Sequence, residues 1–222
     1  TIDKYMGDAI MAFWNAPLEN ARHPKDAADA ALQMILRLVA LNARLKEEAE
    51  AEKRPFKALR VGIGLNTGVC IVGNLGSEQR FDYSVLGDPV NLASRLEGQT
   101  KEYGISIIIG ESTARAIPGY ALIKLDLIAV KGKEEAVTIY GLFGNEEYAA
   151  QQDFKEARAE MEAFLELYLT RNWQEALTRL DGIEAMNDRL SRYVALFRMR
   201  IRAFHETPPP DGWDGVYRAR EK

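Results

Sequence analysis

Three short segments of this sequence carry side chains whose types and spacing suit phosphate and metal chemistry. The first, Lys4-Tyr5-Met6-Gly7-Asp8, sets a carboxylate beside a glycine turn. A carboxylate exposed there can ligate Mg2+ or Mn2+, hard cations that take oxygen ligands and keep phosphate oxygens in their shell. Taken alone, a turn aspartate more often satisfies its own backbone. The second segment runs Phe81-Asp82-Tyr83-Ser84-Val85-Leu86-Gly87-Asp88-Pro89-Val90-Asn91-Leu92-Ala93-Ser94-Arg95-Leu96. Asn91 and Arg95 are spaced to project from one face of a helix, where an amide and a guanidinium suit ribose and phosphate. The plainer reading makes Asp88 a helix N-cap and leaves Arg95 in a surface ion pair. The third, Val130-Lys131-Gly132-Lys133, places two lysines around a glycine turn within reach of a polyphosphate, or simply in solvent. Each segment is a weak signal by itself.

The elements around these segments follow from hydrophobic period and turn residues. Ile2 to Trp14 reads as a β-hairpin turning at Gly7-Asp8. Pro24 to Glu52 is a long amphipathic helix with Ala27, Ala31, Met34, Ile35, Leu38, Leu41 and Leu45 at helical spacing, and Pro24 suits its first turn. Leu59 to Val72 predicts two strands and a turn around Gly62, Gly64 and Gly68. That glycine string is not a dinucleotide fingerprint, because its spacing is wrong and no helix follows. Phe81 to Leu86 is a short strand. Asp88 to Tyr103 is a helix with Val90, Leu92, Ala93 and Leu96 inward, stopped by Gly104. Strands over Ile105 to Ile109, Tyr120 to Val130 and Ala136 to Phe143, with a short helix over Glu111 to Ala116, complete an α+β unit.

From Asn145 the texture becomes helical, which divides the chain into residues 1–145 and 146–222. Asp153 to Ala185 is expected to be helical throughout, with another helix over Ser191 to Phe204. Leu167-Tyr168-x4-Trp173-x2-Ala176-Leu177 is similar to part of a tetratricopeptide-type helix pair, although a solenoid needs about three repeats. The favoured reading is a helical extension that packs on the first unit or on a partner. Pro208-Pro209-Pro210 ends the last helix, and Asp211 to Gly215 is expected to follow as an extended tail.

Composition narrows the function classes. The chain has 222 residues, 47% hydrophobic and 28% charged, as ordinary globular proteins do. With 29 basic and 33 acidic side chains its net charge is −4, which argues against charge-driven binding of nucleic acid. One cysteine, Cys70, excludes an internal disulfide framework and a cysteine-rich zinc site. His23 and His205 lie far apart in sequence. No apolar run approaches the ~20 residues of a membrane-spanning helix, and no signal-peptide pattern opens the chain. A cytoplasmic location is expected. The chain has no initiator methionine and enters directly into a hairpin arm, so upstream sequence is expected too.

Order and spacing together are far more specific than any segment. Lys-x-x-Gly-Asp, then Tyr-Ser-x-x-Gly-Asp-x-Val-Asn-x-Ala-Ser-Arg-Leu, then Val-Lys-Gly-Lys resembles the class III nucleotidyl cyclase catalytic domain from Thr1 to about Phe143. The resemblance implies a ferredoxin-like βαββαβ core working as a head-to-tail homodimer, with active sites at the interface. It implies that Asp8 is one of two metal-binding aspartates for two Mg2+ or Mn2+ ions. Lys4 matches the purine-selecting lysine of adenylyl cyclases, where guanylyl cyclases usually carry glutamate. Ser84 holds the second purine-selecting position, where many adenylyl cyclases have aspartate and a bacterial subset threonine. Asn91 matches the ribose-orienting residue and Arg95 the one stabilising charge on the reacting phosphate. Lys133, or failing it Lys131, would hold the terminal phosphates. The implied reaction is attack of the ATP 3′-oxygen on the α-phosphate, giving cyclic AMP and pyrophosphate.

Two features bound this reading. The family's first strand carries a Phe-x-Asp-hydrophobic-x-Gly-Phe motif with the other metal aspartate, and no such motif precedes Thr1. The expectation is therefore an adenylyl cyclase domain short of its first strand and helix, with an unpaired sheet edge, exposed apolar surface and no activity alone. The tail Pro208-Pro209-Pro210-x-Gly212-Trp213-Asp214-Gly215 is similar to the segment after the cyclase domain in bacterial CHASE2-type receptor cyclases. That likeness implies an upstream sensor and a membrane-anchored region. A guanylyl cyclase shares the fold, but Lys4 argues against it. A non-catalytic cyclase-like module for dimerisation or regulation has no need of Asp8, Asn91 and Arg95 together.

Overall fold

A computed structural model describes residues 1–77, 80–129, 136–186 and 190–217. Its centre is a four-stranded sheet in the order β3 (Ile63–Leu65), β6 (Ile107–Gly110), β8 (Val137–Gly144), β7 (Ala121–Ile128). β3 and β6 run parallel, and the other pairs are antiparallel. The β-branched run of β6 explains its central place, since every residue in it is buried. Its side chains alternate between two cores: Ile107 and Ile109 face one, Ile108 the other.

The first core lies under α1 (His23–Ala51) and α3 (Glu111–Ala116). Ala28 and Ala31 pack there with Ile107, Ile109, Ala114, Ile117, Tyr120 and Leu142. Small residues let α1 lie close to the sheet, and the Tyr120 hydroxyl fixes it by donating to Asp29 Oδ1 at 2.6 Å. Further along α1, Met34, Leu36 and Val39 face solvent.

The second core begins under α2 (Asp88–Tyr103), with Leu92, Leu96 and Tyr103 against Ile108, Ile123, Leu125 and Ile139. Val90 and Ala93, expected inward, are only partly buried. Gly104, in a left-handed conformation at φ 72°, ends the helix where expected. The same core continues without a break into α5 (Gln152–Leu169), α6 (Trp173–Met186) and α7 (Ser191–Glu206). α4 (Glu146–Ala149) leads in, with the Asn145 side chain accepting from the Tyr148 N–H at 3.1 Å.

Two expectations for this region are corrected. The stretch Asp153 to Ala185, expected to be helical throughout, is two helices, broken where Arg171 takes a positive φ of 65°. The apolar spacing runs in phase through the break, so period alone does not reveal it. The break brings Trp173 edge-on to Tyr168, ring centroids 5.5 Å apart. The tail after Pro210 is not extended but docked. Arg171 donates to the Pro210 carbonyl, and Trp213 packs against Tyr168, Trp173 and Phe204. The indole N–H donates to the Val216 carbonyl at 2.8 Å. An indole with its one donor satisfied belongs in a core, and proline-rich flanks gave no warning of it.

Two hairpins stand outside the central sheet as separate two-stranded sheets: β1 (Ile2–Met6) with β2 (Ala9–Ala12), and β4 (Ile71–Ser77) with β5 (Arg80–Leu86). The two strands expected within Leu59 to Val72 are present as β3 and the start of β4, but they belong to different sheets. Ile2, Tyr5, Met6 and Ile10 are exposed on the first hairpin, and Ile71, Phe81 and Leu86 on the second.

Candidate active site

The two hairpins place Lys4 and Ser84, two residues of the expected site. β1 packs against β5, and Phe13 sits against Tyr83 with ring centroids 6.0 Å apart. Lys4, on β1, is half-exposed, whereas Ser84, on β5 opposite Gly73, is buried. They meet through a residue that the sequence pattern alone does not single out. The Ser84 hydroxyl donates to Asp3 Oδ2 at 2.7 Å, and Lys4 Nζ lies 3.5 Å from Asp3 Oδ1. The Asp3 side chain is fully buried, and its Oδ1 accepts no hydrogen bond. A usable signal was present, since aspartate is depleted in strands and here stands next to a lysine in a hairpin arm.

Asp8 sits at the tip of the first hairpin, after Gly7 at φ 65°. It is exposed and, among the described residues, makes no hydrogen bond or ion pair. Its donor set is a single hard carboxylate. That suits a magnesium-type ion completing its shell with water and phosphate oxygens, not an all-protein cage. Among the described residues no group of three or more His, Cys, Asp or Glu side chains could enclose a metal.

Asn91 and Arg95 both lie on the exposed face of α2, one turn apart, as their spacing predicts. The N-cap is Gly87, not Asp88: its carbonyl accepts the N–H groups of Val90 at 3.0 Å and Asn91 at 3.4 Å. Gly87 stands at φ 151°, which bars a side chain there, and Asp88 instead sits in the first turn beside the positive end of the helix dipole.

The glycine string explains how α2 is held. A Cβ on Gly64 would lie 2.1 Å from the Ala93 carbonyl oxygen and 2.4 Å from the Glu97 nitrogen. One on Gly62 would meet Thr100 at 2.0 Å, and one on Gly68 would meet Pro89 at 2.5 Å. These glycines form a bed on which the helix lies, and Asn66 adds a hydrogen bond to the Pro89 carbonyl at 3.1 Å. Their spacing serves helix packing, not phosphate contact.

The far end of α2 is tied to α7. Arg200 reaches from α7 to Asp126 of β7, to the Tyr103 hydroxyl at 3.2 Å and to Glu102 at 3.3 Å. Tyr103 donates to Asp126 as well, and Tyr193 donates to the Leu125 carbonyl at 3.0 Å. Burial and the Asp126 charge push the Tyr103 phenol far above its ordinary range. Burial also pushes the Cys70 thiol up, so this cysteine is not primed as a thiolate nucleophile. Lys131 and Lys133 lie outside the described residues.

The structure thus joins Lys4 with Ser84 through Asp3, sets Asn91 with Arg95 on α2, and puts Asp8 at the hairpin tip. The family model for the adenylate and guanylate cyclase catalytic domain matches residues 3–144. Adenylate cyclase 1 of Rhizobium meliloti is 35% identical over 145 residues, covering 65% of this chain and 21% of that protein. An adenylate cyclase of Anabaena cylindrica is 37% identical over 145 residues, covering 63% of this chain and 27% of that protein. The chain therefore spans about a quarter of the length of these relatives. Among solved structures, the adenylyl cyclase CyaB from P. aeruginosa has TM-score 0.54 and 34% identity, covering 65% of this chain and 72% of that one. The guanylyl cyclase Cya2 matches with TM-score 0.54 and 32% identity, covering 65% and 70%.

Proposed function

Because the chain belongs to the adenylate and guanylate cyclase catalytic domain family, we propose that it converts ATP to cyclic AMP and pyrophosphate at the interface of a homodimer. One observation carries the choice of ATP: Lys4 and Ser84, 80 positions apart in the sequence, are drawn together around one buried carboxylate. A lysine donates to a ring nitrogen acceptor of adenine, and a serine oxygen accepts from its amino group. The relatives from Rhizobium meliloti and Anabaena cylindrica are adenylate cyclases, which supports the same choice.

Roles for the remaining residues follow from type and position. Asn91 orients the ribose so that its 3′-oxygen lies in line with the bond to be broken. Arg95, one turn further along α2, stabilises charge on the α-phosphate as the 3′-oxygen bonds to phosphorus and pyrophosphate departs. The proton of the 3′-hydroxyl passes to water or to a phosphate oxygen. Cyclase domains of this family use divalent metals. Asp8 would hold Mg2+ or Mn2+, which when bound lowers the pKa of the 3′-hydroxyl and neutralises phosphate charge. Lys131 and Lys133 would contact the terminal phosphates. In a site shared between two copies, Asp8 of one copy would serve with Asn91 and Arg95 of the other.

A guanylyl cyclase is the second reading, favoured by the match to Cya2 and by a serine, not an aspartate, at position 84. The experiment is turnover of Mn2+-ATP and Mn2+-GTP by the full-length protein, with products separated by chromatography. ATP should be preferred, and Lys4→Glu should erode that preference, because a mismatched buried polar group costs about 1–3 kcal/mol. Equal use of both nucleotides would remove the adenylyl assignment. No turnover of either would leave a non-catalytic dimerisation module.

A further inference from the structure

A serine is an ambiguous reader of a purine. Its hydroxyl carries one proton and two lone pairs, so it can accept from the 6-amino group of adenine or donate to the 6-oxo group of guanine. Ser84 is not left with that choice. Its proton is engaged by Asp3 Oδ2 at 2.7 Å, inside a site where Ser84 is 6% exposed and the Asp3 side chain not at all. A carboxylate has no proton to offer in return, so the bond runs one way. What Ser84 has left for a ligand is its lone pairs.

The same carboxylate faces Lys4. Asp3 Oδ1 lies 3.5 Å from Lys4 Nζ and accepts no hydrogen bond, although it is buried. An ammonium on a flexible stem is thereby held beside the serine and not left to roam in solvent. We propose that Asp3 is the specificity-determining positioning residue of the nucleotide pocket, fixing Ser84 as an acceptor-only group and holding Lys4 as the donor next to it. The pair then presents one acceptor and one donor to the base. Adenine, with a 6-amino donor beside a ring-nitrogen acceptor, complements it; a 6-oxopurine sets an acceptor against an acceptor. This rests on the cyclase reading and goes beyond it, because it assigns adenine selection to a residue that itself faces away from solvent.

Asparagine at position 3 removes the constraint that makes the bond run one way. Its amide can donate to Ser84, whose hydroxyl is then free to turn its proton toward the base. The experiment measures kcat/KM for ATP, GTP, ITP and the triphosphate of unsubstituted purine riboside, in the full-length protein and in Asp3→Asn, Ser84→Ala and the double variant. Asp3→Asn should reduce the ATP-to-GTP and ATP-to-ITP ratios by about tenfold or more. Turnover of purine riboside triphosphate, which has nothing at position 6, should change far less. In the Ser84→Ala background Asp3→Asn should cost much less discrimination than in the unsubstituted protein, because only its hold on Lys4 is then left to lose. Equal losses on all four substrates would mean that Asp3 merely supports the fold, and would overturn the inference. A second arm needs no variant: if the unsubstituted protein uses ITP as well as ATP, Ser84 is donating and the inference fails. Absence of turnover from every triphosphate overturns the cyclase reading, and this inference with it.

Discussion

Arg200→Met tests whether the helical extension and the cyclase unit share one stability. The Arg200 side chain is 4% exposed and Asp126 1%, so their ion pair is screened very little by water. Methionine keeps much of the aliphatic bulk against Phe197, Tyr103 and Tyr217, and removes only the charge and its hydrogen bonds. Asp126 then loses its counter-charge while retaining the Tyr103 hydroxyl and the Leu127 N–H. Breaking a buried pair from one side costs about 3–5 kcal/mol, and two surviving donors place this case near about 3. Glu102 is 46% exposed and adds little. For a chain of this size each kcal/mol moves Tm by about 2–4 °C, so a fall of about 6–12 °C is expected. Asp126→Leu combined with Arg200→Met should recover most of that loss, since neither charge is then stranded. Differential scanning calorimetry of the three variants is the assay. A fall below about 2 °C, or losses that simply add in the double variant, would refute the argument that these two groups lock the extension in place.

Two further outcomes follow from the layout of the site and the core. Asp8→Ala and Arg95→Ala should each nearly abolish cyclic AMP formation by the full-length protein, yet co-expression should restore up to about a quarter of the unsubstituted activity. Random pairing makes about half the dimers mixed, each with one intact site; no recovery in demonstrated heterodimers would place both residues in a single chain's site. Residues 146–222 expressed alone should show no cooperative melt by circular dichroism, because Phe164, Tyr193 and Phe197 share their core with α2 and β7; a sharp monomeric transition would show that they fold independently.

What the sequence revealed and what it hid divide along a physical line. Elements set by local pattern were legible: β6 from its β-branched run, α2 from Leu92 and Leu96 in phase and the glycine stop, Asn91 and Arg95 from their spacing. Features that depend on which distant segments meet were not. Asp3 gains its meaning only because β5 delivers Ser84 to it, 81 residues later. The break at Arg171 leaves the apolar period intact, so the period does not show where the helix pair turns. Trp213 is a tail residue by its neighbours and a core residue only once Arg171 has turned the chain toward it. The glycine bed sits between these cases: its spacing excluded a phosphate loop, but only the position of α2 explains why a side chain cannot fit.

The grip on both ends of α2 makes that helix a lever with a known arm. At about 1.5 Å per residue, Arg95 stands about 12 Å and Asn91 about 18 Å from Tyr103, the residue that Arg200 holds. A tilt of about 5° about that anchor carries Arg95 through about 1 Å and Asn91 through about 1.6 Å. A misplacement of about 1 Å can cost a reaction about a hundredfold in rate. The glycine bed resists such a tilt, because bringing the helix closer to β3 would drive the Ala93 and Glu97 backbone into Gly64. Movement is therefore stiff in one direction and freer in the other. Any such swing would pivot on the aromatic seam where α7 meets Tyr103, two turns or more from Asn91 and Arg95.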